Sequence, residues 1–212
     1  MDSTRKKQLE LAAHHLARND PVMAGLVMAH GTCTVVPHVD YYRSLVEAII
    51  GQQLSVKAAA AIKGRFRELF GGEFPEPVAI LDISAETYRA AGLSFAKARY
   101  ITDLAEHVID GRLNFDRLDL QSNAEIIKNL CAVKGVGEWT VHMFLLFCVG
   151  RLDVLPIGDL GVRNAVRDRY GLAVTPTPTA VTDLAIANHW HPYESVASWY
   201  LWESYDTEPF IP

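Results

Sequence analysis

The sequence is poor in cysteine. Only Cys33, Cys131 and Cys148 are present, with no C-x-x-C spacing. That excludes a disulfide framework, a zinc finger and a four-cysteine iron–sulfur cluster, and it suits a reducing compartment. Long apolar runs are missing, and no stretch reaches the length of a membrane span. The opening Met1-Asp2-Ser3-Thr4-Arg5-Lys6-Lys7 has no apolar core of the kind a secretory signal needs. A soluble intracellular protein with no membrane partner is expected. A basic excess is missing too: Lys and Arg total 20 against 25 Asp and Glu, a net of −5 over 212 residues. The whole-chain charge thus carries no nucleic-acid footprint. The acid excess is local. Residues 180–212 hold Asp183, Glu194, Glu203, Asp206 and Glu208 and no Lys or Arg. The remaining chain is balanced, so a local basic groove is not excluded. β patterning is nearly absent, with only Thr32 to Val36 reading as a short strand. Glycine and proline are too few for a low-complexity chain, and the 50% hydrophobic content supports a sizeable core.

What is present is helical periodicity. Leu9, Ala13 and Leu16 form a first stripe, closed by Asn19-Asp20-Pro21. Asp40, Ser55, Ser84 and Ser94 each stand where a helix cap is wanted, and Ser122 with Glu125 forms a capping box. Gly71-Gly72, Gly92 and Gly111 close three of these helices. Glu138 to Val149 is apolar nearly all round and should be buried. Asp159 can cap a helix running toward Arg169; Thr179 to Asn188 and Pro192 to Tyr205 complete an all-α chain of about ten helices.

The chemistry concentrates in Leu130-Cys-Ala-Val-Lys-Gly-Val-Gly-Glu-Trp-Thr140, a helix–hairpin–helix pattern around Lys134, Gly135, Val136 and Gly137. Glycines allow a tight turn and close approach of another molecule. The amides beyond them open a helix N-terminus, which favours an anion such as a phosphate, and Lys134 adds a positive charge. A tight αα-hairpin with no ligand has the same pattern. Asp159 follows Gly137 by 22 residues, inside Pro156-Ile-Gly-Asp159-Leu-Gly-Val-Arg163. Alone, it reads as a plain N-cap; beside the hairpin it becomes a candidate catalytic carboxylate. His142, on the buried helix, reads as a core histidine. His189 and His191 flank Trp190 without metal-ligand spacing.

Together these segments resemble the helix–hairpin–helix superfamily of DNA glycosylases, in particular its alkylated-base branch, the 3-methyladenine DNA glycosylase II group. Ile49-Ile50-Gly51-Gln52-Gln53-Leu54-Ser55 is similar to the loop that enters the minor groove. Trp190-His-Pro-Tyr193-Glu-Ser195 followed by Trp199-Tyr-Leu-Trp202 is similar to the C-terminal tryptophan–proline–aromatic segment. The likeness spans about residues 40–205. It implies a two-lobed helical fold with a cleft between lobes, one lobe over about 40–120 and the other over about 121–205 with the N-terminal helix 1–30. The hairpin then occupies about 122–149. Fewer than 40 residues precede Asp40, so the N-terminal β domain of larger members is expected to be absent or reduced to a fragment.

The resemblance also implies a function. The partner is double-stranded DNA carrying alkylated bases, the enzyme is a monomer, and it acts in cytoplasm, nucleoid or nucleus. The damaged nucleotide is flipped out. The N-glycosidic bond of 3-methyladenine, and of 7-methylguanine, is then hydrolysed with oxocarbenium character on the sugar. Asp159 is the carboxylate that stabilises this charge. Trp139 and Tyr193 are candidates to stack on a cationic purine, with Met143 as a lining residue. Trp199 and Trp202 read as core. Gln53 or Leu54 is expected to fill the gap left by the flipped base, and Lys134, Gly135, Val136 and Gly137 to contact the backbone. The carbonyls of Cys131, Val133 and Val136 match those that hold a Na or K ion beside a phosphate in relatives; no cofactor is implied for catalysis. Bifunctional relatives carry a Schiff-base lysine where this chain has Trp139, so no lyase activity is expected. Glu194 stands where relatives commonly have Arg, which adds an acid at the pocket rim. Two other readings compete: a non-catalytic helix–hairpin–helix DNA-binding protein, and a glycosylase for a different lesion.

Overall fold

The computed structural model describes residues 3–38 and 40–205. Among these residues twelve α-helices follow one another: α1 (Ser3–Asn19), α2 (Pro21–His30), α3 (Tyr41–Gly51), α4 (Val56–Glu68), α5 (Pro77–Leu81), α6 (Ala85–Ala90), α7 (Phe95–Ile109), α8 (Asn123–Cys131), α9 (Glu138–Phe144), α10 (Leu160–Arg169), α11 (Pro178–Ala187) and α12 (Glu194–Glu203). A 3₁₀ helix spans Phe115–Leu120, and α9 runs directly into a π turn at Leu145–Val149. No helix among the described residues is long and apolar enough to cross a membrane.

The helix starts are written in the side chains. Asp40, Ser55, Ser84 and Ser94 each accept a backbone N–H from the first turn they precede. Ser122 and Glu125 form the reciprocal capping box. Each such cap satisfies a donor that the helix itself leaves unpaired and contributes about 1 kcal/mol. Two helices exceed the expected set. The α2 helix, Pro-Val-Met-Ala-Gly-Leu-Val-Met-Ala-His, is apolar without a polar face, so it has little periodicity to read. The α5 helix has only five residues.

Thr32 to Val36 is not a strand, and no strand occurs among the described residues. Among the described residues there is no second strand to pair with it. The stretch is instead tied down by side chains: Cys33 is buried, and the Tyr200 hydroxyl donates to the Gly31 carbonyl at 2.7 Å.

The chain forms two compact units. One comprises the described residues up to Pro37 together with those from Leu145 onward; the other is His38–Phe144. The boundary therefore falls at the start of the π turn and not near residue 120. Residues 121–144, expected with the C-terminal lobe, belong with residues 38–120. The reason is packing and polar anchoring of the hairpin. Helix α9 packs on α3, and the segment between α8 and α9 is bonded to side chains of α7 and of the loop after α3. In the first unit α12 is central, packed against α1, α2 and α10, and its residues Ser195 to Trp202 are all buried. In the second unit α7 is central, packed against α3, α5 and α6. Asp206 and Glu208 of the acidic tail lie outside the described residues.

Candidate functional site

Asp159 stands at the head of α10, in the first unit. Its Oδ1 accepts the Val162 N–H at 2.8 Å and the Trp202 indole N–H at 2.9 Å. The cap role is thus met, and the candidate catalytic carboxylate is half-buried. Trp202 comes from α12, is 4% exposed, and stacks at a tilt on Phe147 with ring centroids 5.7 Å apart. The α10 backbone also leaves little slack here. A Cβ added at Gly161 would lie 3.0 Å from Asp159 Oδ1 and 3.3 Å from Trp202 Cδ1. Two donors with close packing define a fixed carboxylate. Its negative charge is also favoured by the helix dipole at that end.

Trp202 is the residue that sequence reasoning missed. Its burial is as expected for core, but its indole N–H is aimed at the candidate carboxylate, Asp159. A strongly apolar helix gives no sign of which ring carries a polar task. The only available signal was that a buried tryptophan N–H must find a partner.

The Tyr193 ring meets the His15 ring of α1 edge-on at 5.1 Å, beside Leu11, His14 and Arg18. The segment leading to it is anchored at Asp20, which is 1% exposed. Asp20 accepts from the Trp190 indole N–H at 2.8 Å, from the Tyr170 hydroxyl, and from the first-turn amides of α2. Glu194 Oε1 lies 3.0 Å from His191 Nδ1, while its Oε2 is buried without a hydrogen-bond partner. No cluster of His, Cys, Asp and Glu capable of holding a metal occurs among the described residues.

The hairpin lies in the second unit. α8 ends at Cys131, Val133 N–H bonds the Leu130 carbonyl, and Val136 N–H bonds the Val133 carbonyl at 3.1 Å. Gly135 has φ of 78°, and a Cβ there would sit 2.1 Å from Tyr100 Cδ2. Only glycine can make this turn and lie so close to the tyrosine ring. Trp139, on the first turn of α9, is 37% exposed, whereas Met143 one turn later is only 2% exposed. Trp139 is therefore partly accessible, and Met143, expected as a lining residue, is packed. His142 is buried as expected, and desolvation holds its pKa below the ordinary histidine value despite Glu138 nearby.

Lys134, expected at the DNA backbone, is largely exposed and also has a partner within the protein. Its ammonium is 2.8 Å from Asp103 Oδ1, and its backbone N–H donates to Asp103 Oδ2 at 2.9 Å. The loop after α3 carries Gln53, exposed and with φ of 57°, and Leu54, half-buried. A positive φ in a residue other than glycine is a strained state that persists only where the surroundings impose it, often at functional sites. The restraint is visible. Lys97 of α7 donates to the carbonyls of Ile50 and Gln52, each at 2.7 Å, and the Gln52 side chain donates to the Gly135 carbonyl at 2.8 Å. Burial lowers the Lys97 pKa.

The candidate cation ligands suit a hard monovalent ion in chemistry. They are backbone carbonyls: Cys131 ends α8, where the helix dipole favours a cation, and Val133 and Val136 lie in the turn that follows. The Val133 carbonyl accepts one N–H and retains a second lone pair.

Residues 46–188 match the family model described as HhH-GPD superfamily base excision DNA repair protein. The chain is 32% identical over 197 residues to the alkylbase DNA glycosidase-like protein mag2 of Schizosaccharomyces pombe, covering 91% of this chain and 92% of that one. It superposes on a DNA-3-methyladenine glycosidase from Bacillus halodurans with a TM-score of 0.84 and 36% identity, covering 91% of this chain and 88% of that one. A 3-methyladenine DNA glycosylase of Schizosaccharomyces pombe, solved in complex with abasic DNA, gives a TM-score of 0.78 and 35% identity over 92% of this chain and 96% of that one. The chain belongs to the HhH-GPD superfamily of base excision DNA repair proteins.

Proposed function

We propose that this chain is an alkylpurine DNA glycosylase. It hydrolyses the N-glycosidic bond of 3-methyladenine, and of 7-methylguanine, in double-stranded DNA and leaves an abasic site. The observation that carries the reading is the carboxylate of Asp159, held by two N–H donors at the head of α10. The relatives named for 3-methyladenine excision support the substrate class.

The chemistry follows from the residues. The target base is inaccessible in a duplex, so the nucleotide is flipped out. Gln53, exposed on its strained turn, and Leu54 fill the vacated stack. The exposed face of Trp139 stacks on the cationic purine, and the electron-rich ring attracts its charge. Alkylation at N3 or N7 makes the base a good leaving group, so the protein need not protonate it. As the glycosidic bond breaks, both of its electrons leave with the base and the sugar becomes oxocarbenium-like. Asp159 stabilises that cation and orients or deprotonates the water that adds to it.

Tyr193 is a second aromatic for the base, held from behind by His15. Glu194 places an acid beside it and bears on the substrate range. Na or K held by the carbonyls of Cys131, Val133 and Val136 would supply a positive charge to a DNA phosphate; it takes no part in bond cleavage. An indole cannot form a Schiff base, so Trp139 leaves the enzyme monofunctional. It works as a monomer, inside the compartment that holds the DNA.

The test is a duplex methylated at random, incubated with the protein, with released bases identified by chromatography. The reading expects free 3-methyladenine and 7-methylguanine, and strand breaks only after alkali. Duplex binding without release of any base would leave the non-catalytic reading. Release of another lesion alone would change the substrate, and strand breaks without alkali would restore lyase chemistry.

A further inference from the structure

Three side chains of α7, spaced three residues apart, reach the two segments assigned to DNA. Lys97 binds the carbonyls of Ile50 and Gln52. The Tyr100 ring lies flat under Gly135. Asp103, 7% exposed, takes both the backbone N–H and the ammonium of Lys134. Residues at this spacing share one side of a helix. The loop and the hairpin are also joined to each other, through Gln52 and the Gly135 carbonyl. Asp103 is itself supported. The His107 ring bonds the Asp103 carbonyl at 2.7 Å, and the other ring nitrogen is 2.8 Å from Arg112 Nη1. Burial pushes the Asp103 carboxyl up, but the bonds from Lys134 outweigh it and hold the pKa below its ordinary value.

We propose that this side of α7 is a positioning ridge for DNA binding, in which Asp103 holds Lys134 as a charge-neutral brace of the hairpin and not as a phosphate contact. The inference rests on the reading of the hairpin as a DNA site. The geometry argues for the brace because one carboxylate engages Lys134 through both its backbone and its side chain. Moving the ammonium to a phosphate would leave a nearly buried carboxylate with half its bonds. Attraction for the phosphate then comes from the turn's amides, whose aim the brace fixes.

The test uses the full chain and a duplex containing an abasic site, with affinity measured over a range of salt concentrations. Each phosphate contact made by a lysine contributes about one to the slope of log K against log salt. Lys134→Gln is expected to weaken binding about tenfold with the wild-type slope. Asp103→Asn should do the same, and the double variant should bind no worse than the weaker single one, because the two residues act as a unit. Loss of about one from the slope in Lys134→Gln would overturn the brace. So would tighter binding and a steeper slope in Asp103→Asn, which is what freeing Lys134 for a phosphate would produce. Additive losses in the double variant count against it as well. Hydrogen exchange of the 134–137 amides without DNA separates the two levels of the claim. Faster exchange there in Asp103→Asn, with the rest of the chain protected as in wild type, supports the brace even if the duplex does not bind. Unchanged exchange overturns it. If Asp103→Asn does not fold, the Lys134→Gln slope decides alone.

Discussion

Replacing Trp202 by phenylalanine separates the packing of that side chain from its bond to Asp159. Phenylalanine retains an aromatic ring against Phe147 and removes the N–H that lies 2.9 Å from Asp159 Oδ1. Two effects on the carboxylate oppose each other. Losing a donor concentrates negative charge on Oδ1, which by itself would favour the oxocarbenium ion. It also releases the carboxylate, leaving only the Val162 N–H to fix Oδ1 among the bonds described above. A hydrogen bond to a charged group contributes about 1.5–3 kcal/mol, and a misplacement of about 1 Å in an active site costs on the order of 100-fold in rate. Misorientation is the larger effect, so excision should fall about 10- to 100-fold. Stability should fall less. The smaller ring in a site that is 4% exposed costs about 1–2 kcal/mol, and Tm drops by about 3–6 °C. The assay is single-turnover release of 3-methyladenine well below the Tm, with affinity for an abasic duplex measured in parallel. A folded Trp202→Phe protein that excises at the wild-type rate would refute the orienting role.

Three further outcomes follow from the geometry. Gly135→Ala should abolish duplex binding and lower stability by at least about 1–2 kcal/mol, since the new Cβ meets the Tyr100 ring at 2.1 Å and φ is positive; a melting curve and a binding isotherm like those of wild type would contradict this. Gly161→Ala should raise helix propensity by up to about 1 kcal/mol while crowding Asp159 and Trp202, so Tm stays level or rises as excision falls severalfold; unchanged excision would show that the carboxylate has slack. Buried His142 is neutral in the native protein with its pKa lowered, so the unfolded chain takes up the proton more readily. Stability should therefore be lost as pH falls below about 6.5, and His142→Gln should flatten that loss in melts between pH 7.5 and 5.5.

The helix starts were legible in the sequence because a cap is a local device. Asp40, Ser55, Ser84, Ser94 and Ser122 each act within three residues of themselves. Asp159 was legible as a cap for the same reason, and as a candidate catalyst only through its distance from the hairpin. What could not be read was set by contacts distant in sequence. Asp103 and Lys134 are 31 residues apart, and Trp202 and Asp159 are 43 apart. No periodicity links such pairs. The unit boundary was misplaced for a related reason: a capping box at Ser122 marks a helix, not the body that the helix packs on. The Thr32–Val36 strand failed because a strand needs a partner, and one β-prone segment among helices has none.

The measurement that bears most directly on the account is excision by Asp159→Asn. Asparagine keeps the oxygen that caps α10 and accepts from Trp202, and as a cap it is equivalent to aspartate, so the cost in stability should be at most about 1 kcal/mol, from the lost charge at the helix N-terminus. The negative charge is lost, and electrostatic stabilisation of this kind is worth about 100- to 1000-fold in rate. Measured under single turnover on a methylated duplex, the variant should bind like wild type and release 3-methyladenine at least about 100-fold more slowly. Release at the wild-type rate by a folded Asp159→Asn protein would contradict the assignment of the carboxylate, and with it the mechanism built on Asp159.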